Sequence, residues 1–122
     1  MNRMEDNKMF HCPVEATLSV IGGKYKCIIL YHLAGQVLRF SQLQRLIPNV
    51  TAKMLAQQLH DLENFGLIHK TIYPVVPPKT EYCLTDFGKT LSPIVTAMCD
   101  WGKQYMGERI LSENESGREV QK

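Results

Sequence analysis

The feature that most restricts this chain is a succession of three local patterns between residues 40 and 84. Ser41 stands where it can N-cap a short apolar-polar stretch ending near Ile47, and Pro48-Asn49-Val50 supplies a turn. Thr51 offers an N-cap to a second stretch that reaches Phe65 and is closed by Gly66. Within that stretch Leu55, Leu59 and Leu62 fall at i, i+4 and i+7, the core-facing stripe of a helix. Residues 67–73 and 79–84 then read as short extended segments joined by Pro74-Val75-Val76-Pro77-Pro78. Prolines are tolerated in such a link but not inside a hydrogen-bonded ladder, so the pair reads as a hairpin with a stiff tip. Two helices joined by a short turn and followed directly by a hairpin describe a winged helix-turn-helix, mainly α with a small β-hairpin. In that arrangement the second helix enters the major groove of DNA and the hairpin lies along the adjacent backbone.

The remaining segments are helical. Pro13 at a first helical position and Glu15 in a first turn predict a helix over 13–21, stopped by Gly22-Gly23. A second is expected over 24–34, ending at Gly35, with Cys27, Leu30, Tyr31 and Ala34 inward and Ile28 and Ile29 flanking. After Thr85 one long helix is expected, kinked at Pro93 and about 30 Å or longer. It carries Phe87, Leu91, Ile94, Val95, Met98, Trp101 and Tyr105 on helical spacing. That stripe is more apolar surface than a 122-residue body can cover, so a second chain is its natural cover.

The length fits one domain, placed at 10–111 between loose polar tails at 1–9 and 112–122. No apolar run approaches the roughly 20 residues of a membrane span, and the N-terminus lacks a secretion signal's apolar core, so a cytoplasmic protein is expected. Cys12, Cys27, Cys83 and Cys99 form no C-x-x-C pair, and the histidines show no ligand spacing; free thiols and no metal or other cofactor are expected. There is no phosphate loop, H-E-x-x-H or nucleophile elbow, and no pair of carboxylates on one buried face, which argues against an enzyme.

The net charge of +2 is too small to announce a nucleic-acid partner, but its distribution is informative. Residues 39–80 hold five basic and two acidic side chains, a net +3, whereas residues 86–122 hold five and six, a net −1. On a helix turning 100° per residue, Lys53, Gln57, His60 and Asn64 point between about 140° and 200° away from Leu55. Ala52 and Ala56 on the flank are small enough to let the backbone approach a groove floor. Gln pairs bidentately with adenine, Ala meets a thymine methyl, and Lys reaches guanine or phosphate. The candidate DNA-contacting set is therefore Arg39, Ser41, Thr51, Ala52, Lys53, Ala56, Gln57 and His60, with Lys70 and Lys79 on the hairpin. Asp61 and Glu63 fall toward the helix's far end, away from the groove. Lys24 and Lys26 read as a solvated helix start or as phosphate contacts, the former preferred. A winged helix used only for protein–protein contact is the rival reading, but its exposed face would be apolar or acidic.

An ordered series of motifs carries a resemblance. It begins with Cys12-Pro13-Val14, Ile21-Gly22-Gly23-Lys24-Tyr25-Lys26, Ile29-Leu30, Arg39-Phe40, Leu46-Ile47-Pro48 and Lys53-Met54-Leu55. It continues through Gln58-Leu59, Asp61-Leu62-Glu63, Gly66-Leu67, Tyr73-Pro74, Val76-Pro77-Pro78, Glu81-Tyr82, Leu84-Thr85, Gly88 and Trp101-Gly102. Over roughly residues 10–105 the chain resembles the HxlR family of bacterial transcriptional regulators, departing at Tyr25, where the family commonly has Trp. The resemblance implies a dimeric DNA-binding regulator joined through its first and last helices. Phe10, Leu91, Val95, Met98, Trp101 and Tyr105 are the expected interface residues, and an inverted-repeat operator on double-stranded DNA is the expected target. Some members of the family sense oxidants or electrophiles through a cysteine near the N-terminus, the place of Cys12. A thiol at a helix start is favoured as the reactive thiolate, although Glu15 one turn away opposes ionisation. The alternative is a half-buried cysteine packing as a small hydrophobe in the dimer interface. Cys27 reads as structural, and the spacing of Cys83 and Cys99 selects no function.

Overall fold

The computed structural model describes residues 8–111. The tail expected at 112–122 lies outside the described residues, as does that at 1–9 except for Lys8 and Met9. The chain runs α1 (Pro13–Ile21), α2 (Lys26–Leu33), β1 (Leu38–Arg39), α3 (Phe40–Leu46), α4 (Ala52–Asn64), β2 (Ile68–Tyr73), β3 (Lys79–Leu84), α5 (Asp86–Lys89) and α6 (Ser92–Met106). A single 3-10 turn follows at Gly107–Arg109.

The helix-turn-helix forms as its local chemistry dictates. Thr51 caps α4 by accepting the Met54 N–H at 3.0 Å, and Asn49 makes the turn with φ 72°. Leu55, Leu59 and Leu62 are buried, and removing each from water stabilises the docked helix by about 1.5–3 kcal/mol. At the other end Gly66 takes φ 80°. Its N–H donates to the Glu63 carbonyl at 2.9 Å while the Leu67 N–H donates to Leu62 at 3.0 Å. These are the paired bonds of a glycine-closed helix end, sealed by contact between apolar residues on either side. Leu67 and Leu62 are both fully buried.

The hairpin pairs antiparallel from Ile68 opposite Leu84 to Tyr73 opposite Lys79. A third strand was not legible beforehand: β1 adds to the free edge of β3, Leu38 opposite Tyr82, giving the order β1-β3-β2. Two residues are too few to show an alternation, and β1 is a strand only because β3 offers it partners.

Three local expectations are corrected. Ser41 does not cap α3; Arg39, two residues earlier, is its N-cap, and the Gln42 side-chain amide oxygen accepts the Arg39 N–H at 2.8 Å. In α2 the buried face is Ile29, Leu30 and Leu33 with His32, whereas Tyr31 and Ala34 are exposed. The helix starts at Lys26 and packs against α3, α4, α6 and β3, so its apolar residues surround it and mark no single stripe. The last helix is two helices. The chain breaks at Thr90-Leu91, and Pro93 lies in the first turn of α6, where its missing N–H has no helical partner to lose. The fifteen residues of α6 span about 22 Å, not 30 Å.

The end of α4, the wing and α5 meet at one corner. The Thr85 hydroxyl donates to the Gly66 carbonyl at 2.6 Å and accepts the Gly88 N–H at 2.9 Å. The Thr85 N–H donates to the Leu67 carbonyl at 3.0 Å. A Cβ at Gly88 would fall on that same Leu67 oxygen, which is backbone and cannot swing aside. Gly88→Ala should therefore cost about 1–3 kcal/mol, measured as a lower midpoint in thermal or urea unfolding. A variant as stable as the parent would show that the corner relaxes.

Candidate nucleic-acid interface

On α4 the side chains of Ala52, Lys53, Ala56, Gln57 and His60 are exposed, beside exposed Arg39 and Ser41 at the start of α3. Thr51 is exposed too, its hydroxyl spent on the cap. On the wing, Lys70 is exposed and Lys79 half-buried. Lys79 holds its Nζ 5.2 Å from the centroid of the Tyr73 ring, an arrangement that keeps the ammonium forward at the strand end. The Glu81 carboxylate near Tyr73 pushes the phenol's pKa up, through hydrogen bonding first and then its negative charge.

The α4 surface is internally bonded in a way that spacing did not reveal. Gln57 Nε2 donates to Asp61 Oδ1 at 3.0 Å, and Asn64 Nδ2 lies 3.1 Å from His60 Nε2. Asp61 Oδ2 is in turn 3.4 Å from Lys26 Nζ at the start of α2. The expectation of a solvated Lys26 is overturned, because its side chain is only 15% exposed. Lys24 is exposed, with its Nζ 5.4 Å from the Tyr25 ring centroid. An i,i+4 relation between Gln57 and Asp61 was the one available signal for the first link. The second depends on how α2 crosses α4.

A second surface is apolar. Val14 and Leu18 of α1, Ile28 of α2, and Ile94 and Met98 of α6 are exposed around a groove of about 580 Å³. Trp101 and Tyr105, 58% and 64% exposed, extend it along α6 with ring centroids 5.2 Å apart. Val95 is buried and Leu91 half-buried against this chain's own core, so these two have little surface left for a second chain. Phe10 is half-buried.

All four cysteines are free. Cys12 is exposed and is the N-cap of α1, its Sγ accepting the Glu15 N–H at 3.5 Å. Glu15 itself accepts the His11 N–H at 2.6 Å and lies 3.3 Å from His11 Nδ1. Cys27 is half-buried, with Sγ 3.7 Å from the Ile21 carbonyl oxygen, and burial pushes its thiol pKa up. Cys83 and Cys99 are half-buried. Among the described residues no three His, Cys, Asp or Glu side chains gather as metal ligands, and no helix is long and apolar enough to cross a membrane.

A helix-turn-helix whose second helix exposes a polar, basic face next to a two-stranded wing defines a winged-helix transcriptional regulator. The chain belongs to the HxlR-like helix-turn-helix family, which it matches over residues 20–110. It is 52% identical over 94 residues to the HTH-type transcriptional regulator YdeP of Bacillus subtilis (strain 168), covering 77% of this chain and 73% of YdeP. Among solved structures it is similar to the redox regulator HypR in its oxidised form, with a TM-score of 0.73 and 50% identity over 76% of this chain and 96% of that one. HypR in its reduced form aligns with a TM-score of 0.74 and 46% identity, covering 81% and 100% of the two chains. The reduced form of the regulator YodB from B. subtilis is more distant, with a TM-score of 0.65 and 30% identity over 79% and 95%.

Proposed function

We propose that this chain is a sequence-specific DNA-binding regulator that acts as a homodimer on an inverted repeat in the cytoplasm. The observation that carries the reading is the exposed face of α4, which puts Lys53, Gln57 and His60 outward with small Ala52 and Ala56 exposed on the flank. Gln57 and Lys53 read base edges in the major groove, whereas Arg39, Ser41 and Thr51 at the two helix starts meet phosphates. Lys70 and Lys79 bring the wing against the adjacent backbone. In a two-fold dimer the two α4 helices enter successive major grooves about 34 Å apart. Gln57→Ala should relax base preference at one position per half-site by about 1–3 kcal/mol. Lys70→Ala should instead weaken all sequences alike and flatten the salt dependence. Binding titrations on a selected duplex and on random duplex at several salt concentrations separate these outcomes. No salt-dependent DNA binding at all would favour a winged helix used for protein contact.

The groove between α1 and α6, continued by Trp101 and Tyr105, supports the dimer. Exposed aromatics clustered on one helix face are the usual anchors of an interface, and Met98 adds an adaptable neighbour. Phe10, half-buried just before α1, belongs to the proposed interface, while Leu91 and Val95 pack inward against this chain's own core. Trp101→Ala should shift the species from dimer toward monomer at micromolar concentration in analytical ultracentrifugation and reduce operator affinity with it. A variant that remains fully dimeric would place the interface elsewhere.

Cys12 is the proposed thiol sensor, with an oxidant or electrophile as the effector class. Its support is an exposed cysteine capping a helix whose next residues, Pro13 and Val14, line the apolar groove, together with similarity to the redox regulator HypR. A bulky adduct or a disulfide there would alter how two copies meet and thus the spacing of their α4 helices. Diamide should change operator affinity of the parent and leave Cys12→Ser unaffected. Unchanged binding by a parent whose Cys12 is shown by mass spectrometry to be modified would leave Cys12 as packing.

A further inference from the structure

We propose that Asp61 is a positioning residue for base readout, fixing the Gln57 amide in the one orientation that selects adenine, with Lys26 holding Asp61 in place. This rests on the reading of α4 as the helix that enters the major groove. The observation is a three-member chain across two helices. Lys26 Nζ lies 3.4 Å from one Asp61 oxygen, and Gln57 Nε2 donates to the other at 3.0 Å.

A free glutamine on a helix surface is ambiguous, because its amide can turn over and exchange oxygen for nitrogen. A carboxylate removes the ambiguity. It only accepts hydrogen bonds, so Gln57 can face Asp61 only with its NH₂ end. The flipped amide would set Oε1 against a negatively charged oxygen. What remains for the groove is one acceptor, Oε1, and one donor, the second hydrogen on Nε2. Adenine offers the matching pair, a donor at N6 and an acceptor at N7. Guanine offers two acceptors, O6 and N7, and would meet the fixed Oε1 oxygen to oxygen. Specificity here is thus partly a rejection, supplied by a residue that need not touch DNA.

Lys26 makes the arrangement persistent. An exposed side-chain pair one turn apart on a helix is weak and interchanges with water. Asp61 is instead anchored from a second helix, by a lysine with only 15% side-chain exposure, and is itself 33% exposed. The ammonium also offsets a carboxylate that would otherwise repel phosphate from the reading surface. The neighbouring pair, His60 and Asn64, lies within α4 alone and has no carboxylate to dictate which end of the amide faces inward.

The test uses full-length protein and a duplex selected from a randomised pool by the parent. Gln57→Ala first identifies the base position that Gln57 reads, and adenine is then exchanged for guanine there. Asp61→Asn keeps the shape but lets the residue donate as well as accept, so both Gln57 orientations become available. It should lower the adenine-over-guanine ratio by about tenfold, while affinity for random duplex stays level or rises with the loss of one negative charge. Lys26→Met should move the ratio in the same direction, and it carries the test if Asp61→Asn fails to fold. In a Gln57→Ala background Asp61→Asn should leave base preference unchanged. A purely structural Asp61 would shift the thermal midpoint and weaken all duplexes equally, with the ratio intact, and that result overturns the proposal. Selection of guanine at the Gln57 position overturns it as well. If Gln57→Ala alters no base preference, the groove reading of Gln57 falls and the proposal with it. If Gln57→Ala does and both Asp61→Asn and Lys26→Met do not, only the proposal falls.

Discussion

The geometry of this protein depends on how the end of α4 is tied to the wing. When α4 stops at Gly66 and the chain turns into β2, the carbonyls of Gly66 and Leu67 both need donors, and both find one on Thr85. Thr85 is also the N-cap of α5, accepting the Gly88 N–H through its hydroxyl. One residue, through its hydroxyl and its backbone N–H, therefore ties the start of α5 to the end of α4, 19 residues earlier, and to the start of the wing. Each of these bonds is worth only about 0.5–1.5 kcal/mol net. Leaving the two carbonyls unmet under buried Leu67 and Gly88 would cost more, since a buried polar group without a partner carries its full desolvation penalty. The consequence is directional: the exposed face of α4 and the strands of the wing are held at one angle.

Helix α2 performs the complementary task at the centre. It packs against α6 as well as α3 and α4, so the surface proposed to meet a second chain and the surface proposed to meet DNA share one rigid neighbour. Its first residue, Lys26, reaches the α4 surface through Asp61. Ile28, in its first turn, is exposed and lines the apolar groove. A small change at that groove has a short, densely packed route to α4, because close-packed interiors transmit displacement. The division of α6 is equally sharp, with Val95 buried inward and Ile94, Met98, Trp101 and Tyr105 left outward.

Much of this was legible in particular residues. Pro13 and Gly22 bound α1 as read, Thr51 and Gly66 enclose α4, and the strands around the proline-rich tip begin and end within a residue of expectation. These are places where one residue has one role: a cap, a missing donor, a positive φ. The inward face of α2 is not legible in the sequence, because a helix buried on several sides has no polar stripe to contrast with its apolar one. Pro93 is compatible with a kink inside one helix or with the first turn of a new one, and it stands in the first turn of α6.

Local patterns in the sequence settled the helix-turn-helix with its hairpin, the family and the polar character of the α4 face, because caps, periodicity and charge act between residues a few positions apart. Tertiary structure decided what depends on elements meeting. It made Leu38-Arg39 a strand by giving it β3 as a partner, and it withdrew Leu91 and Val95 into the core while leaving Trp101 outside. It also converted Asp61 from a charge at the far end of a helix into the link between Lys26 and Gln57. The reason is that a hydrogen bond or ion pair is fixed by distances of about 3–4 Å. Residues 35 positions apart come within that range only when helices cross, and no local pattern records where they cross.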